Sequence, residues 1–206
     1  MKIENLNFGP YVMRAKCEQK IIDNLLEAGS KLKNSYQSNL ASIGIDTFKF
    51  EKHTEEKFYK DIMPYMHAYR KGHCEYHGIQ DRTVELSAID LWINYMKSGD
   101  FNPIHTHGGD YSFVLFLDVP EELSKEQRDF EGTAAKPGSL IFEYTQPARP
   151  SWATTGTVVL PQPGDFYMFP ALMRHWVAPF KSKITRISVS GNLRIVNRDK
   201  LPNDYF

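Results

Sequence analysis

The sequence predicts an α+β protein in which a helical first part supports an all-β second part shaped as a sandwich or barrel. Three observations carry this expectation. Apolar residues recur at helical spacing within residues 1–80. From residue 84 they alternate with a period of two, as strands require. The alternating runs are short and separated by Gly- and Pro-rich loops such as AAKPGS, QPARPS and PQPGD, the punctuation of a many-stranded antiparallel fold.

In the helical part, Ile21, Ile22, Leu25 and Leu26 form a narrow apolar stripe, interrupted by Ser30 and the region of Gly44. A second helix is expected over 54–78. Thr54 followed by Glu55 and Glu56 marks its start, Phe58, Ile62, Tyr65, Met66 and Tyr69 form its stripe, and Gly78 ends it. Pro64 is expected to kink or split it. In VELSAIDLWINYM, Ile89, Leu91, Ile93 and Tyr95 share one strand face, while Asp90, Trp92, Asn94 and Met96 share the other. Further strands are expected at 103–107, 111–119, 138–144, 156–160, 165–169, 174–180 and 184–196. Residues 1–206 read as one domain, with 1–80 as helical support and 84–196 as the β core. The segment from Pro147 to Thr155 is the candidate mobile loop. Trp152 within it is either a substrate contact or a cover for core residues.

Composition narrows the function. Twenty-five Lys and Arg balance twenty-five Asp and Glu, so no nucleic-acid or anionic-membrane surface is expected. The two cysteines, Cys17 and Cys74, make no disulfide framework and suit a reducing cytoplasm. The opening residues lack the apolar core of a secretory leader, and no apolar run reaches the ~20 residues that span a bilayer. P-loop, dinucleotide-binding and nucleophile-elbow motifs are missing, and the cysteines lie far from the histidine motifs.

The chemistry concentrates in NPIHTHGGDYSFVLFLDVP, residues 102–120. On a strand, residues i and i+2 project from one face about 6.6–6.8 Å apart at Cα, so His105 and His107 could converge on one ion. Gly108-Gly109 lets the chain turn, bringing Asp110 within reach of the same point. Imidazole and carboxylate suit a first-row metal such as Fe(II), Mn or Zn. The hexapeptide alone is equally a polar bend that happens to carry histidines. A second element, PGDFYMFPALMRHWVAPF, supplies His175 behind a Pro-Gly turn and an apolar strand. Gly99 precedes His105 by six residues, Gly164 precedes Pro170 by six, and His175 follows five later.

This pairing resembles the two-part signature of cupin-type double-stranded β-helix (jelly-roll) proteins. Asp110 stands in place of the usual glutamate, one residue early, and Leu172 where a second glycine is common. With W-x-N at 92–94, SFVLFL, FP…H-W-V-x-P and R-I-S-V-S-x-N in order, residues 92–192 resemble Fe(II)- and 2-oxoglutarate-dependent oxygenases. They are especially similar to small prolyl-hydroxylase-like proteins of bacteria and marine phages. The resemblance implies a cupin-like barrel with the N-terminal helices packed on one sheet. It also implies Fe(II) as cofactor, 2-oxoglutarate and O2 as cosubstrates, and succinate and CO2 as products. His175 would be the distal ligand and Arg186 the partner of the distal 2-oxoglutarate carboxylate. Ser188 and Asn94 would assist. The guanidinium is a planar, permanently charged fork matched to a carboxylate. The acid expected two residues after the first histidine is here His107. His105, Asp110 and His175 could therefore form the triad, with His107 nearby or replacing His105. A cupin-like set could instead use all three histidines, with or without Asp110, and Asp110 is favoured as a ligand.

Plainer readings stand beside these. Without its barrel, the Arg186–Ser188 face is a solvated strand face, and Trp92 and Asn94 are equally an ordinary half-buried one. His73, Cys74 and His77 share a helix face but lack a nearby acid. The expected function is a hydroxylase of a peptide, prolyl residues included, or of a small molecule. The rivals are a metal cupin enzyme that does not use 2-oxoglutarate and a non-catalytic β-sandwich that binds a partner. The expected location is the cytoplasm, a host's if the gene is phage-borne. The sequence admits a homodimer without determining the oligomeric state.

Overall fold

The computed structural model describes residues 9–144 and 156–201. The chain runs β1 (Met13–Lys16), α1 (Gln19–Gly29), a 3-10 turn (Gln37–Asn39), β2 (Asp46–Lys49), α2 (Lys52–Asp61) and α3 (Met63–His77). The β part follows: β3 (Leu86–Met96), β4 (Asn102–His105), β5 (Tyr111–Asp118), α4 (Glu121–Asp129), β6 (Leu140–Glu143), β7 (Gly156–Val159), β8 (Asp165–Pro170), β9 (Arg174–Val177) and β10 (Arg186–Ile195). Among the described residues, ten strands form two antiparallel sheets, one ordered β1-β8-β5-β10-β3-β2 and the other β4-β9-β6-β7. Facing each other, they make the double-stranded β-helix that the sequence predicts.

Side-chain alternation divides the molecule into layers. On the outer face of the six-stranded sheet, Leu91, Ile93, Phe113, Leu115, Phe166, Met168 and Val189 pack against the helices. The helices contribute Ile21, Ile22 and Leu25 of α1, Phe58 and Tyr59 of α2, and Met66 and Tyr69 of α3. Between the sheets lies a second cluster that includes Met96, Phe116, Leu140, Phe142, Tyr167, Phe169 and Val177. Each buried large side chain contributes roughly 1.5–3 kcal/mol by leaving water. The amphipathic α1 stripe is therefore a docking face that braces the sheet from behind.

Several elements differ from the sequence reading. The helix expected over 54–78 is split, as Pro64 predicts, but the break falls two residues earlier, at Ile62. Pro64 lies in the first turn of α3, where its missing N–H costs no helical bond. Gly78 ends α3 with φ +67°, the left-handed conformation glycine adopts most readily. Strands β1 and β2, inside the part read as helical, are four residues each and too short to declare a period. Pairing with β8 and β3 makes them strands. Helix α4 was not foreseen, since its buried side chains are only Leu123 and Gln127.

Candidate active site

The site forms where the short β4 and β9 face the inner side of β10 and β3. His105 at the end of β4 lies directly opposite His175 on β9, with Phe142 of β6 next in the row. A register shift between Asn102 and His105 lets both turn inward although they are three positions apart, as bulges beside active sites commonly do. The chain after β4 is pinned where His107 N–H donates to Ala171 O at 2.9 Å and Asp110 N–H to Leu193 O at 2.8 Å. Gly109 makes that turn possible: it has φ +99°, and a Cβ there would lie 2.6 Å from Leu193 O.

Among the described residues, His105, His107 and His175 are the set able to hold a metal ion, their ligand atoms lying within 4.8 Å of one another. His107 Nε2 and His175 Nε2 are 3.1 Å apart, and the His105 and His175 ring centroids 4.2 Å. Two tautomers follow from backbone geometry. His105 Nδ1 is 2.8 Å from Pro103 O and His175 Nδ1 is 2.9 Å from Met173 O. A carbonyl only accepts, so each Nδ1 carries the proton and each Nε2 presents its lone pair to the cluster. Burial, with the neighbouring imidazoles, pushes His107 down to about 3 and His175 to about 4, and burial lowers His105 as well. At neutral pH the cluster consists of three neutral nitrogen donors, the state a cation requires. The donor set thus fits Fe(II).

Asp110 lies outside this set, against the expectation that favoured it. The Gly108-Gly109 turn sends its carboxylate to the edge of β10, where Oδ2 accepts the Ile195 N–H at 2.7 Å and Oδ1 pairs with Arg198. Both oxygens are engaged in anchoring the end of β10. His73 and His77 rings sit 4.6 Å apart on α3 without joining a metal-capable set among the described residues. Trp152 and its loop, like the C-terminal Tyr205 and Phe206, lie outside the described residues.

A cavity of about 120 Å³ lies beside the histidines and is lined also by Trp92, Asn94, Arg186, Ser188 and Ser190. Arg186, at the start of β10, is 3% exposed. Its Nη1 donates to Gly138 O at 2.9 Å, its guanidinium carbon lies 5.3 Å from the Phe116 ring centre, and its Nε is buried without a partner among the described residues. Burial lowers its pKa to about 10, which leaves it cationic at neutral pH. An uncompensated buried charge costs several kcal/mol, so this guanidinium suits an anionic guest. Ser188 stands two residues along the same face, with Asn94 opposite it on β3. Asn94 Nδ2 lies 3.4 Å from Ser190 Oγ and 3.5 Å from Ser188 Oγ.

The sequence reading missed the segment between α1 and β2. Asn39, Leu40, Ala41, Ser42 and Ile45 line the cavity although the sequence marks only an interruption there. The local hint is Gly44, φ +82°, packed against Asp100.

A family profile described as "Putative 2OG-Fe(II) oxygenase" matches residues 90–192, half of the chain. No curated protein matches. Similar solved structures include a viral collagen prolyl hydroxylase from Paramecium bursaria Chlorella virus-1 in complex with 2-oxoglutarate. It has 15% identity and TM-score 0.55, with 90% of this chain and 97% of that one covered. HygX from Streptomyces hygroscopicus, with nickel and 2-oxoglutarate bound, has 8% identity, TM-score 0.60 and coverages of 92% and 84%. A Trichoplax adhaerens prolyl hydroxylase, in complex with a hypoxia-inducible-factor peptide fragment, has 12% identity, TM-score 0.56 and coverages of 93% and 85%. These likenesses support the fold and lend nothing to a phage source. Among the described residues no helix is long and apolar enough to cross a membrane. With the profile spanning β3 to β10 and a neutral three-nitrogen cluster beside a buried guanidinium, this chain belongs to the family of Fe(II)- and 2-oxoglutarate-dependent oxygenases.

Proposed function

We propose that the protein is a hydroxylase in which His105, His107 and His175 hold Fe(II) and Arg186 holds the distal carboxylate of 2-oxoglutarate. One observation carries this reading. Three neutral imidazoles and a buried guanidinium with no acid partner among the described residues face the same cavity, a cation site and an anion site within one small chamber. When bound, iron would supply open coordination positions for 2-oxoglutarate and O2, with O2 the oxidant: one of its oxygen atoms would end in the hydroxylated C–H bond and the other in the succinate formed with CO2 from 2-oxoglutarate.

The residues have separate tasks. Carbonyls of Pro103 and Met173 hold two of the imidazoles in the ligating tautomer. Arg186 orients the keto acid by its far end, with Ser188 and Asn94 adjoining along the cavity wall. Phe142 and Phe169 pack on the His175 ring and restrict water around it. Asp110 holds the last strand rather than a metal. The helices and barrel act together as one domain within the cytoplasm. The substrate class is a peptidyl residue, prolyl included, or a small molecule. A complex with a peptide fragment and a complex with hygromycin B, both of proteins sharing this fold, support that range.

Anaerobic titration with Fe(II) and 2-oxoglutarate tests the reading. A metal-to-ligand absorption band should appear with both and vanish in His175→Ala. Failure of the wild-type protein to bind either would overturn it. A second reading has one observation in its favour: a ligand set without a carboxylate suits a cupin metalloenzyme independent of 2-oxoglutarate. Indifference of turnover to Arg186→Ala would support that alternative.

A further inference from the structure

The cavity holds two more buried polar atoms that no group among the described residues satisfies, Ser42 Oγ and Asn102 Oδ1. Leaving such atoms unpaired costs about 1–3 kcal/mol each, which a bound polar guest would relieve. They sit together. Ile43 and Phe101 exchange both backbone bonds, Ile43 N–H to Phe101 O at 3.0 Å and Phe101 N–H to Ile43 O at 3.2 Å. In that antiparallel bridge, Ser42 and Asn102 are the next opposed pair, on the other face. Ile43 is 52% exposed, whereas Ser42 and Asn102 line the cavity.

Their depth in the barrel is set by the ladders. Asn102 lies opposite Val177, which lies opposite Leu140, two residues from the Gly138 carbonyl that receives Arg186. On the other sheet, Arg186 lies opposite Met96, the last residue of β3, and the turn that follows leads into Asn102. Asn102 and Ser42 therefore belong to the Arg186 end of the chamber, while His105 and His175 form the neighbouring row. Ser42 lies outside the family-matched residues 90–192.

We propose that Ser42 and Asn102 join Arg186 in binding the distal carboxylate of the cosubstrate, so that cosubstrate affinity depends on the N-terminal segment as well as the barrel. The hydroxyl of Ser42 and the amide N–H of Asn102 are donors, and a carboxylate accepts from both and from the guanidinium. In this arrangement the Asn102 amide is turned over about its last bond, which exchanges the unpartnered Oδ1 with Nδ2 and points an N–H toward the carboxylate. This proposal rests on the preceding reading of the site.

The test measures dissociation constants anaerobically in the full chain carrying Mn(II) or Fe(II), for 2-oxoglutarate and for pyruvate, which keeps the chelating end but lacks the distal carboxylate. Ser42→Ala and Asn102→Ala should each weaken 2-oxoglutarate about tenfold, the effect of one hydrogen bond to a charged group. Asn102→Asp, of nearly unchanged shape, should weaken it further by placing like charges together. Metal affinity and pyruvate affinity should stay within about twofold, as a distal role requires. Unchanged 2-oxoglutarate affinity in all three variants, with Arg186→Ala impaired, would overturn this inference and leave the oxygenase reading standing. Equal weakening of pyruvate would reduce both residues to structural roles. If the wild-type protein binds metal but no 2-oxoglutarate, both readings fall.

Discussion

Strand β10 has two faces, and they obey opposite rules. On the outer face, Ile187 and Val189 join an apolar layer with Leu91, Ile93, Leu115 and the helices, where polar groups are few. On the inner face, one residue out of step, Arg186, Ser188 and Ser190 look into a cavity with a buried charge and unsatisfied polar atoms. The outer face stabilises the sheet. The inner face forgoes stability for binding, and the rigid packing behind it holds its groups in place for a guest. A one-residue slip of β10 would exchange the two, which is why an apolar layer on one side also specifies the site on the other.

This contrast can be broken from either side. The largest expected effect is on the inner face: Arg186→Ala should weaken 2-oxoglutarate binding about a hundredfold or more, as loss of a charge-assisted fork implies. Because that guanidinium is buried without an acid partner among the described residues, thermal stability of the metal-free variant should hold steady or rise, which calorimetry would detect. An outer-face truncation should do the reverse. Ile93→Ala, at a fully buried position, should cost about 2–5 kcal/mol in denaturant unfolding yet leave metal and cosubstrate affinities intact below the transition. A variant that lost both together would show the two faces to be less separable than the layering suggests.

Two smaller effects sharpen the picture at the sheet edges. Asp165 on β8, with no exposed surface, receives Arg14 Nη2 at 2.9 Å and Lys16 Nζ at 2.8 Å from β1. Burial would raise its carboxyl pKa, but the bonds from Lys16, the Gln162 N–H and Arg14 outweigh burial and hold it below the ordinary value. Its contribution is complete above the unfolded-state pKa of about 3.9 and lost as pH falls through and below that value. Asp165→Asn should therefore cost about 1–3 kcal/mol at pH 7 and progressively less below pH ~4. The smallest effect belongs to Asp110→Asn, which should destabilise the end of β10 by about 1 kcal/mol. Metal titration of that variant should match the wild type; a large loss of metal affinity would return the carboxylate to the ligand set.

The site was readable to different degrees along the chain. His105, His107 and His175 carried a spacing signal, and alternation already assigned Arg186, Ser188 and Asn94 to one side of their strands. Alternation cannot say whether that side meets water or a closed chamber, so the solvated-face reading of Arg186 stayed open until the four-stranded sheet covered it. Asp110 illustrates the opposite limit. Its position three residues after His107 allows it to reach the histidines, but Leu193, Ile195 and Arg198, distant in sequence, draw it the other way. Ser42 had no local signal, because only the bridge between Ile43 and Phe101 brings it to the cavity.

By itself the sequence determined the fold class, most strand positions, a break in the second helix near Pro64 and the histidines that come together, all properties encoded in residue spacing and backbone preference. Tertiary structure alone decided the edge strands β1 and β2, the gathering of three histidines with Asp110 turned away to the end of β10, and the share of the N-terminal segment in the cavity. Those depend on contacts between residues dozens of positions apart. Such contacts follow from the closure of two sheets on each other and leave no period in the chain.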